Sequence, residues 1–380
     1  MAEDNKDKVL NVPNLRFPKF SEEWELHPTT DYFEFKNGLN PDAKRFGTGT
    51  KFISVMDILN NRFITYDKII GSVEPKGREL EDFGVNYGDV LFQRSSETLE
   101  DVGRANVYLD NKTALFGGFV IRGKKIGNYN PLFFRYLLSS PNVRKRIIVK
   151  GAGAQHFNIG QDGLSKVSLF VPKEEEQERI GHLLNLIDER IETQNRIIEK
   201  LQSLMKGLAE RLTSQTPNTR IADCLECHSS TLQENQLMDD GDYKVYGANG
   251  VCGYTDKPAI IEDAILIVKD GSGVGNVNYA IGKYSVIGTS NYLTAKTGFL
   301  LRYLYYCLMA FNFTPYRTGM AIPHIYFKDY GKAFIYCPSL DEQKRIADLL
   351  SKIDSKIQME SSVLDYYQIQ KRYLLQSMFI

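Results

Sequence analysis

The strongest constraint on this chain is that one stretch of it occurs twice. Residues 172–191 and 338–357 align without a gap, 166 positions apart. They agree at ten of twenty places: Pro172/Pro338, Glu176/Glu342, Gln177/Gln343, Arg179/Arg345, Ile180/Ile346, Leu183/Leu349, Leu184/Leu350, Ile187/Ile353, Asp188/Asp354 and Ile191/Ile357. A period this long does not suit a solenoid; it suits a duplicated unit of domain plus helix. From Ile180, residues recur at steps of four and three through Leu184, Ile187, Ile191, Gln194, Ile198, Leu201, Met205, Leu208 and Leu212, nine of the ten apolar. That is a coiled-coil seam. The second copy runs through Ile346, Leu350, Ile353, Ile357, Glu360, Leu364, Tyr367, Lys371, Leu374 and Met378. Proline followed by acidic residues opens each copy, as a helix N-terminus favours. Two helices of about 35 residues, roughly 50 Å each, are expected to pair antiparallel. The polar seam residues Gln194 and Glu360 share a register, and a contact between them is expected to fix it at some cost in stability.

The helical segments 172–213 and 338–380 leave two globular domains, 1–171 and 214–337, each preceding one helix. The first begins with an extended segment, Val12 to Phe20, whose Leu15, Phe17 and Phe20, with Trp24, can be laid on an existing surface. Short β-rich runs punctuated by glycine follow, then a helix opened by Asn130-Pro131, a basic stretch Arg144-Lys145-Arg146 with Lys150, and a Gly-rich loop from Gly151 to Ile159. In the second domain, Glu262 to Lys269 reads as a buried strand and Asp270 to Asn276 as the polar loop after it. Val274-Gly275-Asn276 echoes Val102-Gly103-Arg104, and Leu300 to Leu304 echoes Phe133 to Leu137, so the domains are diverged copies. The expected fold is α+β or α/β, with two unlike globular domains separated by two long antiparallel helices forming a coiled coil.

Composition narrows the classes. Basic and acidic residues balance at 47 each, so any nucleic-acid surface must be local. The start of the chain carries no apolar signal core, and Phe299 to Phe313, broken by Arg302 and Asn312, is too short to span a bilayer. Five irregularly spaced cysteines indicate a reduced compartment, and the expected setting is cytoplasmic.

Leu15-Arg16-Phe17 with Trp24, the Tyr246-Gly-Ala-Asn-Gly250 segment, and the twice-used Pro…Glu-Gln-x-Arg-Ile…Leu-Leu…Ile-Asp resemble the specificity subunit of type I restriction-modification systems over nearly the whole length. The resemblance implies two target-recognition domains joined by conserved helices and a subunit that reads double-stranded DNA. It further implies two modification (methyltransferase) subunits carrying S-adenosylmethionine for N6-adenine methylation. Restriction subunits using ATP and Mg would add translocation and cleavage. The chain itself is then non-catalytic, with no cofactor of its own. A rival reading is a scaffold whose helices merely space two protein-binding domains.

Base readout needs Arg, Asn, Gln and short polar side chains at base edges, and Lys or Arg on phosphates. The candidates in the first domain are Gln93, Arg94, Ser95, Ser96, Arg104, Gln155, His156 and Asn158, with Arg144, Lys145, Arg146 and Lys150 as a phosphate cluster. In the second they are Lys269, Asp270, Ser272, Asn276, Ser290, Asn291, Arg317 and His324. Arg179, Glu189, Arg190, Arg345 and Lys356, on the outward faces of the helices, are candidates for docking partner subunits.

Catalytic signals fail on inspection. Cys224-Leu-Glu-Cys227-His228 has haem-attachment spacing and is half a zinc site, but no second pair completes a tetrahedron. Asn130-Pro-Leu-Phe133 approaches a methyltransferase signature, yet no Gly-rich cofactor strand precedes it, and helix capping accounts for it. Asp42, Glu74 and Lys76 do not form a nuclease cluster, because Pro75 disturbs the strand. Gly271-Ser-Gly-Val-Gly275 lacks the Lys of a phosphate loop.

Overall fold

The computed structural model describes residues 10–153, 156–319 and 322–380. The chain forms two compact units: residues 1–193 with 363–380, and residues 194–362. The first contains β1 (Glu25–Pro28), β2 (Phe33–Asn37), β3 (Phe46–Ile53), α1 (Val55–Asn60), β4 (Ser72–Val73), α2 (Glu79–Phe83), β5 (Val90–Gln93), β6 (Ser95–Ser96), β7 (Ala105–Val107), β8 (Leu115–Phe116), β9 (Val120–Lys125), α3 (Pro131–Leu137), α4 (Pro141–Ile148), β10 (Phe157–Asn158), α5 (Gln161–Ser165) and β11 (Ser168–Val171). Then α6 (Glu174–Thr213) runs on into the second unit. That unit adds β12 (Thr219–Arg220), α7 (Ile221–Cys224), β13 (Leu225–Ser229), β14 (Tyr243–Gly247), β15 (Gly250–Thr255), β16 (Ala264–Val268), β17 (Val277–Ala280), β18 (Ser285–Val286), β19 (Ser290–Ala295), α8 (Leu301–Ala310), α9 (Phe327–Tyr330) and β20 (Phe334–Ile335). The last helix, α10 (Leu340–Ser377), returns to the first.

The sheets carry the duplication that the helices announce. In the first unit four strands lie in the order β2-β9-β5-β7, and in the second β13-β19-β16-β17. A three-stranded sheet, β4-β3-β8 or β15-β14-β18, accompanies each, and in each the third strand joins in parallel. Both β5 and β16 lie between two neighbours and are buried along their length, which is why Val-Leu-Phe and Ala-Ile-Leu-Ile-Val read as continuous apolar runs rather than alternating ones.

All ten expected seam positions in each long helix are buried or half-buried. In the first unit Ile180, Leu184 and Ile187 join a core with Leu374, Met378 and Phe379; in the second Met205 and Ala209 join Ile346, Ala347 and Leu350. The pairing is antiparallel: Lys371 reaches Asp188 at 2.6 Å and Arg190 reaches Tyr367 at 3.4 Å in the first unit. In the second, Gln194 Nε2 donates to the Glu360 main-chain oxygen at 3.0 Å and also to its carboxylate, so the two polar seam residues meet. Lys356, one turn away, also pairs with Glu360 and holds that carboxyl below its ordinary range.

The repeated glutamine explains how each helix is fastened to its domain. Gln177 donates to the Pro172 carbonyl and accepts from Asn130 N–H, both at 2.9 Å. Gln343 donates to the Pro338 carbonyl at 2.9 Å and accepts from Leu300 N–H at 3.0 Å. Asn130 and Leu300 are the residues that open α3 and α8, so one buried amide ties two helix starts together in both units. Asn130 caps α3 through its own side chain, accepting from Phe133 N–H at 3.0 Å. The N-terminal segment belongs to the first unit alone: Arg16 grips Glu176 with two bonds of 2.7 Å, and Trp24 packs edge-on against Phe133 and Phe379.

Candidate nucleic-acid interface

At one edge of each four-stranded sheet the backbone repeats bond for bond. Because β2 and β5 both run antiparallel to β9, the C-terminal ends of the first two lie beside the N-terminal end of the third. Arg94 N–H, just past β5, donates to the Phe119 carbonyl at 2.9 Å; Lys269 N–H, just past β16, donates to the Thr289 carbonyl at 2.9 Å. The next carbonyl contact is shared too, Ile159 N–H to Arg94 O at 3.0 Å and Ile325 N–H to Lys269 O at 2.9 Å. A small hairpin supplies those partners: Ala152 and Asn158 exchange backbone bonds of 2.9 and 2.8 Å, Thr318 and His324 bonds of 2.9 and 2.7 Å. Gly153 and Gly319 hold the same place in it at positive φ, where an added Cβ would meet a carbonyl oxygen at 2.0 and 2.3 Å.

The echoed triplets make matching bonds as well. Gly103 N–H binds the Gln93 carbonyl and Gly275 N–H the Val268 carbonyl, both at 2.9 Å. An arginine from elsewhere in each unit caps the first carbonyl of the triplet, Arg144 on Val102 at 2.7 Å and Arg317 on Val274 at 2.8 Å.

On this common skeleton the side chains differ. In the first unit the Ser95 hydroxyl donates to Asn158 Oδ1; in the second Asp270 Oδ1 faces His324 Nδ1 at 2.7 Å. The structure thus brings Arg94, Ser95, Asn158 and the exposed His156 to one edge, and Lys269, Asp270 and His324, with the exposed Ser272 and Asn276, to its counterpart. Ser96 accepts from Thr98 N–H at 3.3 Å beside them, and Arg104 pairs with Asp101 at 2.6 Å. Gln155 lies outside the described residues.

Other candidates are held by the scaffold. Gln93 is buried and donates to the Ser95 carbonyl at 2.9 Å, and Arg94 reaches the Gly118 carbonyl at 3.3 Å. Ser290 and Asn291 lie buried in β19, where Asn291 accepts from Ser229 at 3.0 Å. The basic stretch on α4 splits, since successive helical residues point about 100° apart. Arg144 turns to the 100–102 loop, and Arg146 stacks on Phe170 while donating to Ser168 O at 3.1 Å; Lys145 and Lys150 stay exposed. The Cys224–His228 fragment scatters too. Cys224 is a buried free thiol that donates to the Ile221 carbonyl at 3.3 Å, with neighbouring Cys337 and burial pushing its pKa up, and His228 stacks on Tyr292.

Of the proposed docking residues, Arg179 and Arg345 are exposed at the same place in the repeat. Glu189 faces Arg62 at 3.6 Å, Arg190 contacts Tyr367, and Lys356 is engaged with Glu360.

Two residues escaped the reading of the sequence. Phe119, 69% exposed on the turn that Arg94 holds, and Asn40, packed against Gly118, both belong to the first edge. The hairpin was legible: Gly153/Gly319 and Ile159/Ile325 are identical at the same 166-residue offset as the helices.

Among the described residues no group of three or more His, Cys, Asp or Glu stands close enough to hold a metal ion, and no helix is long and apolar enough to cross a membrane. Residues 21–203 and 218–365 each match the profile of the type I restriction modification DNA specificity domain. A chain of Methanocaldococcus jannaschii named as the type I restriction enzyme MjaX specificity subunit is 24% identical, the match covering 97% of this chain and 95% of that one. The EcoprrI specificity subunit of Escherichia coli is 25% identical over 30% of this chain and 28% of its own length. In three dimensions the chain is similar to the type I restriction-modification S subunit from M. genitalium, with a TM-score of 0.65, 17% identity, and coverage of 97% of this chain and 99% of that one.

Proposed function

Since this chain belongs to the type I restriction modification DNA specificity family, and so is the DNA-recognising, non-catalytic member of such a complex, we propose that it reads an asymmetric, bipartite duplex target with one half-site per unit. The observation that carries this is the repeated edge: one backbone, two unlike sets of polar side chains, Arg94/Ser95/Asn158 and Lys269/Asp270/His324. Identical copies would read the same half-site twice; unlike side chains at matched positions read different ones. The exposed Lys145 and Lys150 contact phosphates, which set register without carrying sequence.

The helices act as the spacer. At 40 and 38 residues they are long enough, about 60 Å at 1.5 Å per residue, to set a fixed interval between half-sites. Arg179 and Arg345, repeated and exposed, offer two equivalent docking points, one for each of two modification subunits carrying S-adenosylmethionine. Those subunits methylate adenine at N6, and restriction subunits with ATP and Mg join the same assembly. The protein works in the cytoplasm, where its DNA lies.

Mapping methylated adenines in cells with and without the gene tests this. The expected result is two different half-sites around a fixed unread interval, and a contiguous or symmetric site overturns it. Inserting four residues after Gln202 should lengthen that interval, and an unchanged one refutes the spacer role. A scaffold of protein-binding domains would show no DNA affinity that falls steeply with salt, as phosphate contacts impose.

A further inference from the structure

The first unit contains a cavity of about 360 Å³ beside α1, α3, α4 and the last turns of α10, and its charge is lopsided. Arg104, Arg135, Arg144 and Lys371 line it, against one carboxylate, the exposed Glu100. Two of the four cations are neutralised nearby: Arg104 by Asp101 and Lys371 by Asp188, each at 2.6 Å. The other two are not. Arg135 spends its donors on the Arg62 carbonyl at 2.9 Å and on the Ser139 hydroxyl. Arg144 spends Nη2 on the carbonyls of Glu100 and Val102 at 2.8 and 2.7 Å, while its Nη1 is buried with no partner. Among the described residues neither guanidinium has a carboxylate in ion-pair range. Burial pushes both below the ordinary arginine range, Arg144 to about 10 with the charge of Arg104 adding to the effect, and the more distant charges of Asp188 on Arg135 and Asp101 on Arg144 offset this only in part. A buried charge that no carboxylate contacts directly is costly, and proteins almost always pair it.

The second unit shows what an arginine on the matching helix looks like when it is paired. Arg302 lies two residues past the Leu300 cap, where Arg135 lies five past Asn130; it meets Asp354 at 3.2 Å and Ser351 at 3.2 Å, with its guanidinium over the Tyr279 ring at 4.2 Å. Asp354 is the counterpart of Asp188, which in the first unit is occupied by Tyr136 at 2.8 Å and Lys371 instead. One copy carries its own anion for the arginine; the other leaves the arginine facing a cavity.

We infer that this cavity binds a phosphate-bearing ligand, with Arg135 and Arg144 as its counter-charges. Planar guanidinium forks suit phosphoryl oxygens, and Leu59, Ile148 and Leu375 give the cavity an apolar wall for the body of an ester. Its size falls at the lower end of small-molecule sites, roughly 300 to 1,000 Å³. The phosphate has two sources, a free nucleotide or the backbone of bound DNA, and the experiment separates them.

The full chain is titrated with inorganic phosphate, pyrophosphate, adenosine monophosphate and acetate, and with duplex DNA at several salt concentrations, for wild type, Arg144→Gln and Arg144→Lys. A free-nucleotide site gives millimolar or tighter binding of the phosphates over acetate, and a rise in wild-type Tm. Arg144→Gln then weakens binding at least tenfold and Arg144→Lys less, while saturating phosphate at matched ionic strength leaves the duplex affinity of the wild type unchanged. A backbone site gives no free-ligand binding, but Arg144→Gln weakens specific and non-specific duplexes alike and lowers the salt slope by about one. The inference is overturned if wild type binds none of the phosphates better than acetate and Arg144→Gln leaves duplex affinity and salt slope intact. Should Arg144→Gln fail to fold, the wild-type titrations and the lysine variant decide the question.

Discussion

The two units share a skeleton and differ in what hangs on it. Wherever a side chain serves the backbone, the copies agree: Gln177 and Gln343 make equivalent pairs of bonds, Gly153 and Gly319 turn the same hairpin, and Arg144 and Arg317 cap the same carbonyl from different places in the fold. Wherever a side chain projects from the edge, they part, as Ser95 with Asn158 does from Asp270 with His324. Duplication has conserved the means of support and released the means of recognition. The arginine pair is the instructive exception. Arg135 stands five residues past the cap of α3 and Arg302 two past the cap of α8, and only the second has a carboxylate partner.

Four sets of substitutions would break or sharpen this comparison. The largest effect is expected at the shared amide: Gln177→Leu and Gln343→Leu each strand a buried N–H and a buried carbonyl, costing about 2–4 kcal/mol. Urea denaturation should show similar losses for the two, and a large loss in only one would mean that the fastenings are not equivalent. Next come the edges. Asp270→Ser combined with His324→Asn gives the second unit the first unit's pair, and affinity for the native target should fall about ten- to a hundredfold. Methylation mapping should show only one half-site altered; change in both would defeat the assignment of one half-site per unit.

The arginines should diverge. Arg302→Leu abandons Asp354 and should cost about 1–3 kcal/mol. Arg135→Leu gives up bonds to a carbonyl and a hydroxyl but no direct carboxylate contact, and should cost less by thermal melting; equal losses would erase the distinction. The smallest effect concerns the seam. Replacing Gln194 and Glu360 together by Leu should raise Tm by a few degrees, about 1 kcal/mol, because an apolar pair there avoids desolvating the carboxylate. A fall would show that the polar contact stabilises as well as aligns.

The long helices were legible because periodicity is a property of sequence: every seam residue picked from the steps of four and three is buried or half-buried, and the contact of Gln194 with Glu360 follows from their common register. The edge was half legible. The position after a strand picked out Arg94, Ser95, Lys269 and Asp270, but residue type could not show that Arg144 and Arg317 would be drawn to backbone carbonyls. Nor could it show that Ser290 and Asn291 would be buried within a strand. Those fates are set by hydrogen-bond demands of neighbouring turns, which lie far away in the chain. The basic run on α4 misled for a simpler reason: neighbours in sequence diverge around a helix.

The first unit takes core residues Leu374, Met378 and Phe379 from the end of α10 and the residues just after it. Translation proceeds from the N-terminus, so the earlier-made unit must wait, its apolar floor open, until the ribosome has finished the later one. Turns of helix made after the second unit are the lid that closes the fold made before it. A chain that stalls late in synthesis would therefore carry a finished second unit and an unfinished first.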